Sequence, residues 1–116
     1  MKDVSGKIEY KGHVYRLVFN LNVMEVIQEE YGTIEHWGEL TDGTATGEGS
    51  AKAVKFGFAA MINEGVDIEN EENGTDIRPF TLPQIGRMLS EIGLENISKV
   101  LTQTVIDSTK SAEKNG

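Results

Sequence analysis

The hydrophobic period of this chain changes once. Over residues 7–20 apolar side chains alternate with polar ones, and from about residue 22 they recur at helical spacing. Two strand-like arms followed only by helical stripes call for an α+β fold in which helices cover one face of a small sheet. In Lys7-Ile8-Glu9-Tyr10-Lys11 the alternation is that of a half-buried strand, and the stretch from Val14 to Asn20 puts Tyr15, Leu17 and Phe19 on one face. Gly12-His13 between the arms offers a two-residue turn with glycine first. That turn sets Tyr10 opposite Tyr15 and Ile8 opposite Leu17. Two strands alone are marginal, so the apolar face needs a cover.

Four or five helices are expected to provide it. Asn22 is a candidate N-cap with Glu25 completing a capping box, and Leu21 and Val26 are placed for a hydrophobic staple. Val23, Val26, Ile27 and Tyr31 form the stripe of a helix over 22–31, stopped by Gly32. A short helix from Thr33 to Leu40 carries the single tryptophan, Trp37. Residues 41–50 are small, polar and glycine-rich, which predicts a mobile loop. A helix over about 50–64 follows, with Val54, Phe58, Met61 and Ile62 in line, then a second, acidic loop over 65–79. Thr81 and Gln84 form a capping box flanked by the staple Phe80 and Ile85, and Leu82, Ile85, Met88, Leu89 and Ile92 make the core face. The last helix, about 95–109, turns Ile97, Val100, Leu101, Thr104 and Val105 inward. Residues 1–110 read as one domain and 111–116 as a flexible polar tail.

Charge narrows the function. Among 116 residues there are 11 Lys and Arg against 19 Asp and Glu, a net charge of -8, which repels phosphate backbones and argues against nucleic-acid binding. Cysteine is absent, which removes disulfides, thiolate nucleophiles and Cys-ligated zinc together. No apolar run approaches the ~20 residues of a membrane span. Met1-Lys2-Asp3-Val4-Ser5-Gly6 lacks the apolar core of a secretory signal, so a cytoplasmic protein is expected.

The motifs of catalysis are missing. His13 falls at a turn tip and His36 in a short helix, and no serine occupies a Gly-x-Ser-x-Gly elbow. Asp67, Glu69 and Glu71 alternate like the first ligands of a calcium loop. Glu72 then stands where that loop needs glycine, and Arg78 where it needs glutamate. The glycines of 41–50 are not followed by Gly-Lys-Ser/Thr, so no phosphate loop is expected. No catalytic, metal or cofactor residue is assigned. The helices do carry apolar residues beyond one stripe: Met24, Phe56 and Ile106. As partner contacts we expect Trp37, Phe56 and Met88, because large apolar side chains dominate interface energetics.

Tyr15-Arg16-Leu17-Val18-Phe19-Asn20 runs into a helix ending Glu29-Glu30-Tyr31-Gly32. An Ala-rich helix (Ala51 to Ile62) follows, and Phe80-Thr81-Leu82-Pro83-Gln84-Ile85-Gly86 opens the penultimate one. In this order of elements, over roughly residues 6–110, the chain resembles the small tail assembly chaperones of long-tailed bacteriophages and prophages. The glycine-rich and acidic segments have no counterpart in that resemblance. It implies a non-enzymatic factor in the host bacterial cytoplasm that binds the tape-measure protein while tail-tube protein polymerises around it. Self-association is compatible with such a role. The alternative is a structural virion tail component, a tube or connector subunit.

Overall fold

The computed structural model describes residues 6–44, 47 and 49–115. Strands β1 (Gly6–Tyr10) and β2 (His13–Leu17) pair antiparallel. Their connection is Lys11-Gly12, with φ of 52° and 80°. Positive φ at both central residues is the type I′ pattern, whose twist matches that of the strands. The turn therefore lies one residue earlier than expected. The register moves by two, pairing Ile8 with Tyr15, Gly6 with Leu17 and Tyr10 with His13. A slip of two preserves the face of every side chain. Leu17 is accordingly fully buried, and Ile8, Tyr10 and Tyr15 pack against the core.

Helix α1 (Leu21–Tyr31) is capped by Asn20, whose Oδ1 accepts from the Val23 N–H at 3.2 Å. The expected cap was Asn22. Asn22 is inside the helix instead, and its Nδ2 donates to Glu64 Oε2 at 3.1 Å beside the same bond from Asn20 at 2.8 Å. The expected staple is absent too, since Leu21 and Val26 are both exposed. Helix α2 (Ile34–Asp42) starts at its cap Thr33, which accepts from the His36 N–H at 3.0 Å. The middle of the glycine-rich segment and the first five residues, where a mobile loop and the lack of a secretory signal were read, lie outside the described residues.

The largest departure is α3 (Ala51–Asn73), which begins at the Ser50 cap and runs well past residue 64. Most of the expected acidic loop is thus helix. Gly65 does not end α3. It lets the helix approach β2, because a Cβ there would fall on the Arg16 carbonyl oxygen. Just beyond that approach the Val18 N–H donates to the Met61 carbonyl at 3.2 Å, so the chain leaving the hairpin is tied to a helix and not to a third strand.

After Gly74 the chain returns along α3 as an extended strap, residues 75–80, held by two asparagines seven positions apart. Asn63 donates to the Phe80 carbonyl (3.0 Å) and accepts from its N–H (2.8 Å). Asn70 does the same for Ile77, at 2.9 Å in both directions, and also accepts from the Thr75 hydroxyl at 2.8 Å. Residues seven apart lie on one helix face, so each amide stands in for the peptide group of a neighbouring strand. Without them these backbone groups would need water.

The strap leads into α4 (Leu82–Ile92), which has the expected capping box: Gln84 N–H to Thr81 Oγ1 at 3.3 Å, and Thr81 N–H to Gln84 Oε1 at 2.8 Å. Ile85, Met88 and Leu89 are buried as anticipated, whereas Leu82 is 53% exposed. Helix α5 (Leu94–Asn115) continues through the residues read as a polar tail. It buries Ile97, Leu101 and Thr104, and the Thr104 side chain sits so close to Gly6 that only glycine fits there. One core joins the inner face of the hairpin to all five helices. Among the described residues no helix is long and apolar enough to cross a membrane.

Candidate partner-binding surface

The three side chains expected to meet a partner occupy different depths. Trp37 is 2% exposed, donates its Nε1–H to the Ala53 carbonyl at 2.9 Å, and lies against Gly57, where a Cβ would collide with the indole. Met88 is 1% exposed. Both side chains are therefore core elements, not surface contacts. Their size is used to fill the space between helices, where each apolar Å² is removed from water without a partner. Phe56 is half-buried and meets Tyr31 edge-on, with centroids 5.5 Å apart at 74°.

Among the described residues the large apolar side chains most open to solvent are Leu21 (79%), Val14 and Leu82 (53% each), Val26 (43%) and Ile106 (41%). Of these the sequence pattern singled out only Ile106 as lying outside a core stripe. A signal for Leu21 was present. Val23 and Ile27, one turn apart, set the inward line of α1, and Leu21 lies about 200° round the helix from Val23.

Two well-formed concavities between elements bear on binding. The smaller, about 290 Å³, is a cup built from the hairpin (Tyr10, Lys11, Tyr15), the strap end (Phe80) and α4 (Gln84, Arg87, Met88). Its aromatic wall is ordered by local stacking. Tyr15 meets Phe80 edge-on at 5.1 Å and lies tilted by 48° against His13 at 4.4 Å, while the Lys11 ammonium lies 5.4 Å from the Tyr10 ring centre. The larger, about 1260 Å³, lies between the end of α2, the start of α3 and α5, and is lined by hydroxyls including Ser50, Ser98 and Thr102. There Ser98 Oγ donates to the Thr41 carbonyl at 2.7 Å, while the fully buried Thr41 hydroxyl has no partner. Part of its rim belongs to the glycine-rich segment whose middle lies outside the described residues.

Neither concavity gathers the groups of a catalytic centre. His13 is exposed, stacks on Tyr15 and has Glu69 as its carboxylate neighbour at 3.9 Å, and His36 is exposed on α2. Among the described residues no three His, Asp or Glu side chains converge as a metal site. Among the described residues one titratable group is clearly perturbed: burial, with the Glu30 carboxylate adding to it, pushes the Tyr31 hydroxyl above the ordinary tyrosine value. That hydroxyl is shut from water and has no hydrogen-bond partner. What this surface offers is apolar and aromatic contact.

No protein-family model, curated protein or solved structure matches the chain.

Proposed function

We propose that this protein is a tail assembly chaperone that binds the tape-measure protein stoichiometrically and keeps it soluble until the tail tube encloses it. The observation that carries the proposal is the set of apolar side chains left in solvent on three helices: Leu21 and Val26 on α1, Leu82 on α4 and Ile106 on α5. A tape-measure protein, as the resemblance describes it, is a long helical chain needing cover for its apolar stripe. Amphipathic helices are recognised through side chains of this kind. Burying one such residue contributes ~1.5–3 kcal/mol, so a few suffice for a reversible hold. The excess of 19 acidic over 11 basic residues keeps the pair in solution and away from DNA.

The test is co-expression with the tape-measure protein of the same genome, reading soluble co-purification against the tape-measure protein expressed alone. The expected result is that the client is soluble only in the pair. A client equally insoluble with and without this chain rejects the proposal. Recovery of this protein from mature particles would favour the alternative of a tube or connector subunit.

A further inference from the structure

We infer that the aromatic cup between the hairpin and α4 is a docking site for an acidic peptide segment, one that inserts a single aromatic side chain flanked by carboxylates. Three observations carry it. The first is shape. At about 290 Å³ the cup lies at the small end of ligand pockets, with room for a side chain and not for a cofactor.

The second is its wall. Tyr10, Tyr15 and Phe80 are all half-buried, and the Tyr15–Phe80 pair presents one ring edge-on to the other. An inserted ring can therefore extend the stack already begun. Met88 also lines the cup, and methionine sulfur is polarisable and suited to aromatic contact.

The third is charge. The net charge of the chain is -8, yet the two ionisable cations lining this cup, Lys11 and Arg87, face no lining carboxylate. Among the described residues neither takes part in an ion pair. Lys11 is held over the Tyr10 ring and Arg87 is exposed on α4, so both remain available at the rim. Charges separated by more than a Debye length of ~8 Å are screened at physiological salt. The charges an acidic segment would meet directly in the cup are therefore the two cations that line it. Arginine offers it a bidentate partner, and the Gln84 amide a further donor.

The inference stands apart from the tape-measure proposal, because its test uses the isolated protein and defined probes. Two capped peptides, Gly-Ser-Glu-Glu-Phe-Glu-Glu-Ser-Gly and the same with alanine for phenylalanine, are titrated into the labelled protein and followed by nuclear magnetic resonance. The expected result is saturable shifts at Tyr10, Tyr15, Phe80 and Arg87 with the phenylalanine peptide only. Arg87→Glu combined with Lys11→Asn should weaken binding by about tenfold, while the control Lys99→Glu leaves it unchanged. Asparagine suits the positive φ of position 11, and Arg87 is exposed, so both substitutions are compatible with the fold.

Four results overturn the inference: no shifts with either peptide, equal shifts with both, equal binding by the charge-altered variant, or cup shifts that follow protein concentration and not peptide. The last would make the occupant a second copy of this chain.

Discussion

The two halves of α3 hold their neighbours by opposite means. The first half, Ala53 to Val66, is the spine of the core. Its buried face is apolar, with Asn63 and Glu64 adding hydrogen bonds at its edge, and two of its closest approaches are made through glycines: Gly57 under the Trp37 indole and Gly65 against the backbone of β2. The second half is polar, carries Asp67, Glu69, Glu71 and Glu72, and holds the strap through the Asn70 amide and the hairpin through Glu69 beside His13 and Glu72 beside Arg16. Burial is cumulative and insensitive to direction, whereas an amide pairing is local and lost when one atom moves. The first half should therefore set global stability and the second the opening of the strap.

The hardest blow to the apolar half is Trp37→Ala. It empties the space above Gly57 and leaves the Ala53 carbonyl without its 2.9 Å donor. Loss of about 3–5 kcal/mol is expected, enough to unfold much of a small domain. Thermal or urea unfolding measures it. A loss below about 1 kcal/mol would mean the indole is not a core element.

Gly65→Ala comes next. Alanine favours a helix by about 1 kcal/mol over glycine, so on an isolated α3 the change would stabilise. Here the new methyl meets the Arg16 carbonyl, a backbone atom that cannot swing aside. A net loss of about 1–3 kcal/mol is expected, with the resonances of β2 moving most. A gain in stability would show that the hairpin does not press on the helix.

Asn70→Ala sharpens the contrast. It strips the amide partner from both backbone groups of Ile77, which are only partly buried, so water replaces it in part and the cost is about 1–2 kcal/mol. Amide hydrogen exchange is the discriminating measurement. The Ile77 N–H should exchange much faster while the Met61 and Ile62 amides in the spine keep their protection. Equal loss of protection at both would mean that strap and core open as one unit.

These same regions explain what the sequence could and could not tell. The hairpin, the capping box at Thr81 and the Ile85–Met88–Leu89 face depend on residues within a few positions of one another, and their types and spacing reveal them. The cap at Asn20 was chosen over Asn22 by bonds from both to Glu64, more than 40 residues away, which no local pattern encodes. Helix α3 appeared to stop near residue 64 because its second half lacks an apolar stripe. Its real inward signal is the Asn63–Asn70 spacing, which has meaning only once the strap beside it is known. For the candidate site, large size in the sequence marks Trp37 and Met88, which are buried, and Phe56, which is half-buried. Which ones reach solvent depends on helix rotation within the core, and the cup joins elements from residue 10 to residue 88.

The smallest expected effect probes whether the apolar half tolerates a stray polar group. Tyr31, at the end of α1, packs edge-on against Phe56 of α3, and its hydroxyl is cut off from both water and protein. Tyr31→Phe keeps the ring and removes the unpaired group, so stability should hold or rise by up to about 1 kcal/mol. The pH dependence gives a second reading of the same atom. Burial, then Glu30, raises the hydroxyl's pKa in the folded state, so above an unfolded value of about 10 the unfolded chain releases its proton first. The contribution of Tyr31 is thus full below about pH 10 and is lost as pH climbs toward the folded value. Urea unfolding at about pH 7 and about pH 10.5 should show a steeper alkaline loss for the parent than for Tyr31→Phe. Parallel losses would mean that the hydroxyl meets solvent, and that the apolar half of the contrast is less dry than its packing implies.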